Sequence, residues 1–295
     1  MSKPLKLITF GLVISLAVFL LVLQLPQFGL LLLIIPGLYI WLGFSLPTNT
    51  GYIAGSIYFV LTTLLVAHPF GMMVGLFGGL IPVAMTIVAK RDYLEDALVK
   101  TVIMAYVAFI ASHYFFDRMH GIDLFEIYLE SIRLVITQMQ STGSDTAGLF
   151  TTLSESYLSV LFMLATGYSL LVFIMAAILK RYKLIEWQVQ PFYTFRFKGF
   201  SFLQFGLIMI GMAILSSLEL PFRLVGQNGW RFMMTLFSIQ GISVAYFFLK
   251  RKKVSTPVSW LVLLVSLAMP FVNSLISLLG FSDSLFDFRK LEALK

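Results

Sequence analysis

Apolar runs of about sixteen to twenty-three residues recur along almost the whole 295-residue chain, and several are joined by only two to four residues. A helix rises about 1.5 Å per residue, so about twenty apolar residues cross a hydrocarbon layer about 30 Å thick. Lipid offers no partner for backbone N–H and C=O groups, and a helix satisfies them within its own segment. The pattern therefore predicts an all-α fold, a polytopic bundle of transmembrane helices.

Nine spans are expected, at Leu7–Leu25, Phe28–Leu46, Gly51–Ala67, Gly71–Ala89, Ala97–Phe116, Tyr157–Leu179, Phe200–Leu218, Gly229–Leu249 and Val258–Leu279. Pro26 and Pro36 support a break between the first two, because proline removes a helix donor. The links Pro26-Gln27, Pro47–Thr50 and His68–Phe70 force antiparallel neighbours. Lys3 and Lys6 precede a first run that spans and lacks a small-residue cleavage site, so it reads as an anchor.

Charged residues make up 12% of the chain, against roughly 25% in soluble domains. The net charge of +7 does not indicate a nucleic-acid partner, because the Lys and Arg residues gather at the ends of apolar runs. The stretch Lys180–Gly199 is the clearest case, with five basic residues against one acid. With the N-terminus in the cytoplasm, fourteen Lys and Arg fall inside and seven outside, which obeys the positive-inside rule. Nine spans leave the C-terminal tail outside. With no cysteine, the chain has neither disulfides nor thiolate-bound metal.

Three regions follow: a glycine-rich five-span half at 1–116, an acidic outer segment at 117–156, and a four-span half at 157–295 with the basic loop 180–199. Within the outer segment Ile122, Phe125, Leu129, Ile132, Ile136 and Met139 recur at three- and four-residue spacing. That places them on one face of an amphipathic helix on the outer surface or over the bundle.

Gly71, Gly75 and Gly79 repeat every four residues, as do Gly51 and Gly55. Such spacing makes a flat face on which another helix packs or docks. His113, Asp117 and His120 fall on one helix face and carry donor types that suit a transition metal. Gln204, Gln240 and Asn273 are amides inside apolar runs, able to bond a ligand or another helix. Gly167-Tyr168-Ser169 and Gly241-Ile242-Ser243 fit the short Gly-x-Ser pattern of rhomboid-type proteases, but every histidine precedes both serines. There is no Walker motif, no Gly-x-Gly-Asp and no His-Glu-x-x-His, and no carboxylate lies at mid-span in this reading. No catalytic residue and no cofactor are indicated.

Trp187 with Pro191, Gln240-Gly241 followed by Tyr246-Phe247-Phe248, and Asp287-Phe288-Arg289-Lys290 form a set over residues 180–291. In these the chain resembles the YybS-like family of bacterial polytopic membrane proteins. In general character it is also similar to the substrate-binding components of energy-coupling-factor transporters and to MreD-type envelope proteins. The resemblance implies a non-catalytic protein of the bacterial cytoplasmic membrane. Its expected role is a small-solute-binding or transport subunit that works with a partner membrane protein. The alternative is an envelope scaffold without a ligand.

Overall fold

The computed structural model describes residues 3–66, 69–140, 146–187, 191–197, 202–219 and 222–289, and every regular element among them is helical. Helix α1 is Lys3–Gln24; a 3₁₀ stretch, Pro26–Leu33, leads into α2, Ile34–Ser45. The break between them is the one Pro26 predicts. Leu25, driven from helical geometry by the proline ring, sits at φ −130°, ψ 77°. Helix α3 is Thr48–Val66, and α4 runs over 69–91 with a π-helical turn, Leu76–Leu80, in its middle.

Helix α5 is Leu94–His120. Its first turn carries Glu95 and Asp96, which suit the positive end of a helix dipole. Gly121, at φ 63°, closes the other end in a left-handed cap that few residues but glycine adopt. Asp123 then caps α6, Leu124–Gln140, with Oδ1 accepting from the N–H groups of Phe125 (2.8 Å) and Glu126 (3.2 Å). Leu129, Ile132 and Ile136 are buried on α6, while Phe125, Glu126 and Glu130 are exposed. Helices α7, Thr146–Glu155, and α8, Tyr157–Arg181, follow. The rest are α9, Phe202–Ser217, α10, Phe222–Arg251, α11, Thr256–Ala268, and α12, Pro270–Phe286.

Five helices among the described residues are long and apolar enough to cross a membrane: Pro4–Gln24, Gln27–Ser45, Phe70–Arg91, Tyr157–Arg181 and Phe222–Arg251. Helices α3, α5 and α9 occupy three other expected runs. The ninth run, Val258–Leu279, is not one span. Met269 is extended (φ −97°, ψ 112°) ahead of Pro270, so α11 stops after 13 residues and α12 begins anew. Thirteen residues reach only about 20 Å.

The chain divides into two compact units. One comprises Met1–Val135 with Leu164–Gln188, the other Ile136–Met163 with Val189–Lys295.

In the first unit the core centres on Phe19, Ile35, Tyr39, Leu42, Tyr58 and Val83. The rings of Tyr39 and Tyr58 lie 5.0 Å apart. The glycines of α3 and α4 face each other here. A methyl group at Gly75 would fall 2.8 Å from Phe59 Cα, and one at Gly79 would fall 2.7 Å from the Tyr58 ring; Gly55 lies against the Gly79 carbonyl and Gly51 against Gly43. Gly71 is buried as well. This face is filled from within the chain. Lys90 extends from α4 to the C-terminal end of α2, where Nζ donates to the carbonyls of Gly43 (2.7 Å) and Leu46 (3.2 Å). The cation meets carbonyls that a helix end leaves without partners. Trp187 closes the same end: its Nε1–H donates to the Ala89 carbonyl (3.2 Å) and its ring lies between Phe44 and Phe173.

In the second unit α9 and α10 form a close pair through Gly226 and Gly229, both set against α9 around Met212. Asn228 is buried and satisfied on every side. Its Oδ1 accepts from the Ser159 N–H and hydroxyl, and its Nδ2 donates to the carbonyls of Glu155 and Leu224. Helices α10 and α12 meet at backbone distance through Gly241 and Gly280.

The α11–α12 pair is a hairpin. At its start, Lys250 bonds Thr256 and Trp260 stacks on Tyr246 at 5.2 Å. At its finish, Asp283 reaches Gln240 and Arg289 reaches Ser243. Both ends of the hairpin thus meet the C-terminal half of α10. The tail residue Arg289 lies beside residues 191–197, at the same end of α10 as the basic loop. This corrects the expectation that the tail lies opposite that loop, and the cause is the reversal at Met269-Pro270.

Candidate functional site

In the second unit the polar residues converge on Arg289, whose side chain and that of its partner Asp283 are both 0% exposed. A guanidinium carries five N–H donors, and here each has an acceptor. Nε donates to Asp283 Oδ1 (3.2 Å), and Nη2 donates to Asp283 Oδ2 (2.6 Å) and the Phe195 carbonyl (2.8 Å). Nη1 donates to the Tyr193 carbonyl (2.7 Å) and Ser243 Oγ (2.8 Å). Gln240 completes the set: its Nε2 donates to Asp283 Oδ2 (3.0 Å) and its Oε1 accepts from the Phe197 N–H (3.0 Å). Ser243 donates onward to the carbonyls of Phe192 and Phe195. Arg196 and Asp287 form a second pair at 3.1 Å on the rim.

The structure brings together Gln240, Gly241, Asp287 and Arg289 from the sequence set, with Pro191 at the start of the 3₁₀ turn Phe192–Thr194. Trp187 sits in the other unit, and Phe288 is exposed. Lys290 lies outside the described residues. Sequence reasoning missed Asp283. The available signal was an acid inside an apolar helix, six residues before an arginine. The arrangement pins residues 191–197 and the end of α12 to α10 and keeps no donor free for a ligand.

Of the other amides, Asn273 Oδ1 accepts from Ser238 (3.2 Å), which also bonds Ser277 (2.6 Å). The Gln204 side chain lies outside the described residues. His113 Nδ1 donates to the Phe109 carbonyl (2.8 Å) and Asp117 is exposed; the His120 side chain lies outside the described residues. Among the described residues no three His, Asp, Glu or Cys side chains gather to hold a metal ion. The hydroxyl of Ser169 returns to the Ala165 carbonyl on its own helix.

The first unit holds an open, groove-like pocket of about 310 Å³ where α2, α4, α5 and α8 converge. Its walls are apolar: Leu32, Leu33, Pro36, Met73, Val74, Phe77, Gly78, Phe109, Tyr168 and Leu171. The π-helical turn of α4 forms one wall. Widening the helix by one residue disturbs the usual carbonyl pairing, and π turns of this kind recur at functional sites. The Tyr168 hydroxyl donates to the Phe77 carbonyl in this turn. The Phe77 ring packs on Phe109 at 4.4 Å and meets Tyr168 edge-on at 5.2 Å.

No curated protein matches the chain, and no solved structure does. A family model described as predicted membrane protein (DUF2232) matches residues 13–284, the whole interval from α1 to the buried Asp283, and the chain belongs to that family.

Proposed function

We propose that this chain is a non-catalytic, multi-pass protein of the bacterial cytoplasmic membrane that binds a small, largely apolar molecule and works with a partner membrane protein. The observation that supports this reading is the pocket of about 310 Å³ beside the π-helical turn. Its size is at the lower end of small-molecule sites, about 300–1,000 Å³, and such sites are mainly apolar with a few placed polar groups. The lining here is almost wholly apolar, and the Tyr168 hydroxyl is engaged by the Phe77 carbonyl, so the expected ligand is apolar. Neither unit offers a nucleotide motif to supply energy, which is why a partner belongs to the proposal.

The test is mass spectrometry of the protein purified from native membranes in a mild detergent. The wild type carries a small apolar molecule, and Met73→Trp, which fills the pocket, comes out folded and empty. Equal retention by the variant overturns the reading.

In this reading the N-terminus and the basic segments lie in the cytoplasm, α6 lies on the outer surface, and the α11–α12 hairpin enters and leaves on the cytoplasmic side. The natural chain has no cysteine, so single-cysteine variants report cleanly. In intact cells an impermeant thiol reagent labels Ser144→Cys and leaves Lys252→Cys and Phe288→Cys unlabelled. Labelling of Phe288→Cys with Lys252→Cys protected restores a ninth crossing.

A further inference from the structure

Two of the helices long and apolar enough to cross a membrane, α8 and α10, end in the same way. Leu179-Lys180-Arg181-Tyr182-Lys183-Leu184 closes the first, and Leu249-Lys250-Arg251-Lys252-Lys253-Val254 closes the second. In each, the chain turns through a left-handed lysine, Lys183 at φ 57° and Lys253 at φ 58°. The Lys183 N–H donates to the Lys180 carbonyl (2.9 Å) and the Leu184 N–H to the Leu179 carbonyl (2.9 Å). The Lys253 N–H donates to the Lys250 carbonyl (2.9 Å) and the Val254 N–H to the Leu249 carbonyl (3.1 Å). These paired bonds make a Schellman cap, whose left-handed position glycine usually fills because a Cβ there crowds the backbone. Among the described residues three non-glycine residues have positive φ, and two of them are these lysines.

Orienting a membrane chain needs basic residues near a helix end, in whatever conformation. It does not call for lysine where glycine is easier. The turn folds the last lysine of each cap back onto the helix end. Lys180 and Lys183 are thereby joined by a backbone bond, as are Lys250 and Lys253, instead of being strung along a loop. Arg181, Lys183, Arg251, Lys252 and Lys253 are exposed, and among the described residues no carboxylate pairs with a cation of either cap. Aromatic residues of the kind that settle at headgroup level stand beside them. Tyr182 is exposed within the first cap, and exposed Trp260 stacks on Tyr246, over which Lys250 Nζ lies at 5.7 Å.

We infer that each cap is a binding site for a phosphate-bearing anion of net negative charge, the chemistry of an anionic phospholipid headgroup. The first cap brings three cations and the second four, with no acid in either hexapeptide. A helix C-terminus opposes an anion with only about half an elementary charge, so the cations prevail. Their N–H donors form charge-assisted bonds to phosphate oxygens. A zwitterionic headgroup brings a cation of its own to the same surface and gains little. The anion comes from a membrane lipid or from a soluble phosphate. Each cap stands by itself in its own unit, and neither rests on the apolar pocket.

The experiment uses the full chain in a neutral detergent with equal amounts of phosphatidylglycerol and phosphatidylcholine of matched acyl chains, read by native mass spectrometry. The two lipids share the phosphodiester and differ in net charge, which is the property the caps select. The wild type retains phosphatidylglycerol over phosphatidylcholine by about tenfold. Lys183→Gly and Lys253→Gly each lower that ratio about fivefold, and the double variant shows no preference. Glycine is at ease in the left-handed position, so these variants melt no lower than the wild type, which separates a lost cation from a lost fold. Lys253→Arg keeps the ratio. If a glycine variant does not fold, Lys183→Asn and Lys253→Asn, which also tolerate positive φ, are read by the same criterion. Inorganic pyrophosphate is then added to the wild type. Displacement of phosphatidylglycerol shows that the caps take the anion from either source. Failure to displace it, with retention still dependent on Lys183 and Lys253, assigns the caps to the lipid. Equal retention of both lipids by the wild type, or an unchanged ratio in the double variant, overturns the proposal.

Discussion

Replacing Arg289 by methionine is expected to destabilise the protein by about 3–5 kcal/mol, the usual result of leaving one member of a buried ion pair without the other. Asp283 would keep only Gln240 as a donor, inside a side-chain environment that is 0% exposed. The carbonyls of Tyr193 and Phe195 would lose their guanidinium donors at the same time. Thermal unfolding in detergent measures the effect. The double variant Asp283→Leu with Arg289→Met removes both charges, and it is expected to be more stable than Arg289→Met alone, because an apolar pair of similar volume replaces a buried salt bridge at little net cost. A single Arg289→Met variant that melts like the wild type would show that the two side chains do not pair in the folded protein.

The second large effect is expected at Gly241. A methyl group there would fall on the carbonyl of Ile276, and one at Gly280 on the carbonyl of Phe237. Both obstacles are backbone, so no side-chain rotation relieves them. The helices α10 and α12 would have to separate, and the bonds of Ser238 with Asn273 and Ser277 would separate with them. Overpacking alone costs about 1–3 kcal/mol, and the lost contacts add to it. Gly241→Ala is therefore expected to give little monodisperse protein. Gly211→Ala on α9, where nothing lies within 4 Å of the added carbon, is expected to behave as the wild type. Equal yields from the two variants would mean that α10 and α12 do not approach at backbone distance.

Apolar run length and proline position made the helices legible. The break at Pro26 follows from what proline does to the residue before it; the same effect at Pro270 interrupts a run that reads as one span by length alone. The four-residue glycine spacing identified a close-packing face, but spacing alone could not name its partner. That partner is α3, set by contacts from Phe59 and Tyr58 that lie sixteen to twenty-one residues earlier in the chain. Gln240 and Arg289 stood out as residue types, yet Asp283 did not. In a linear reading it belongs to a tail beyond a ninth span, and only the reversal at Met269 returns it to Gln240. The pocket was out of reach for the same reason. Its walls come from four helices between Leu32 and Leu171, and no local pattern records their convergence.

The buried arginine also fixes an order of events during synthesis. Tyr193, Phe195, Phe197, Gln240, Ser243 and Asp283 all leave the ribosome before Arg289 does. Until that residue arrives, a carboxylate waits in an apolar helix without its cation, and the Tyr193 carbonyl lacks its guanidinium donor. The second unit therefore cannot settle piece by piece as it emerges. A chain stopped between residues 283 and 289 carries that acid without its cation and leaves residues 191–197 without their guanidinium anchor.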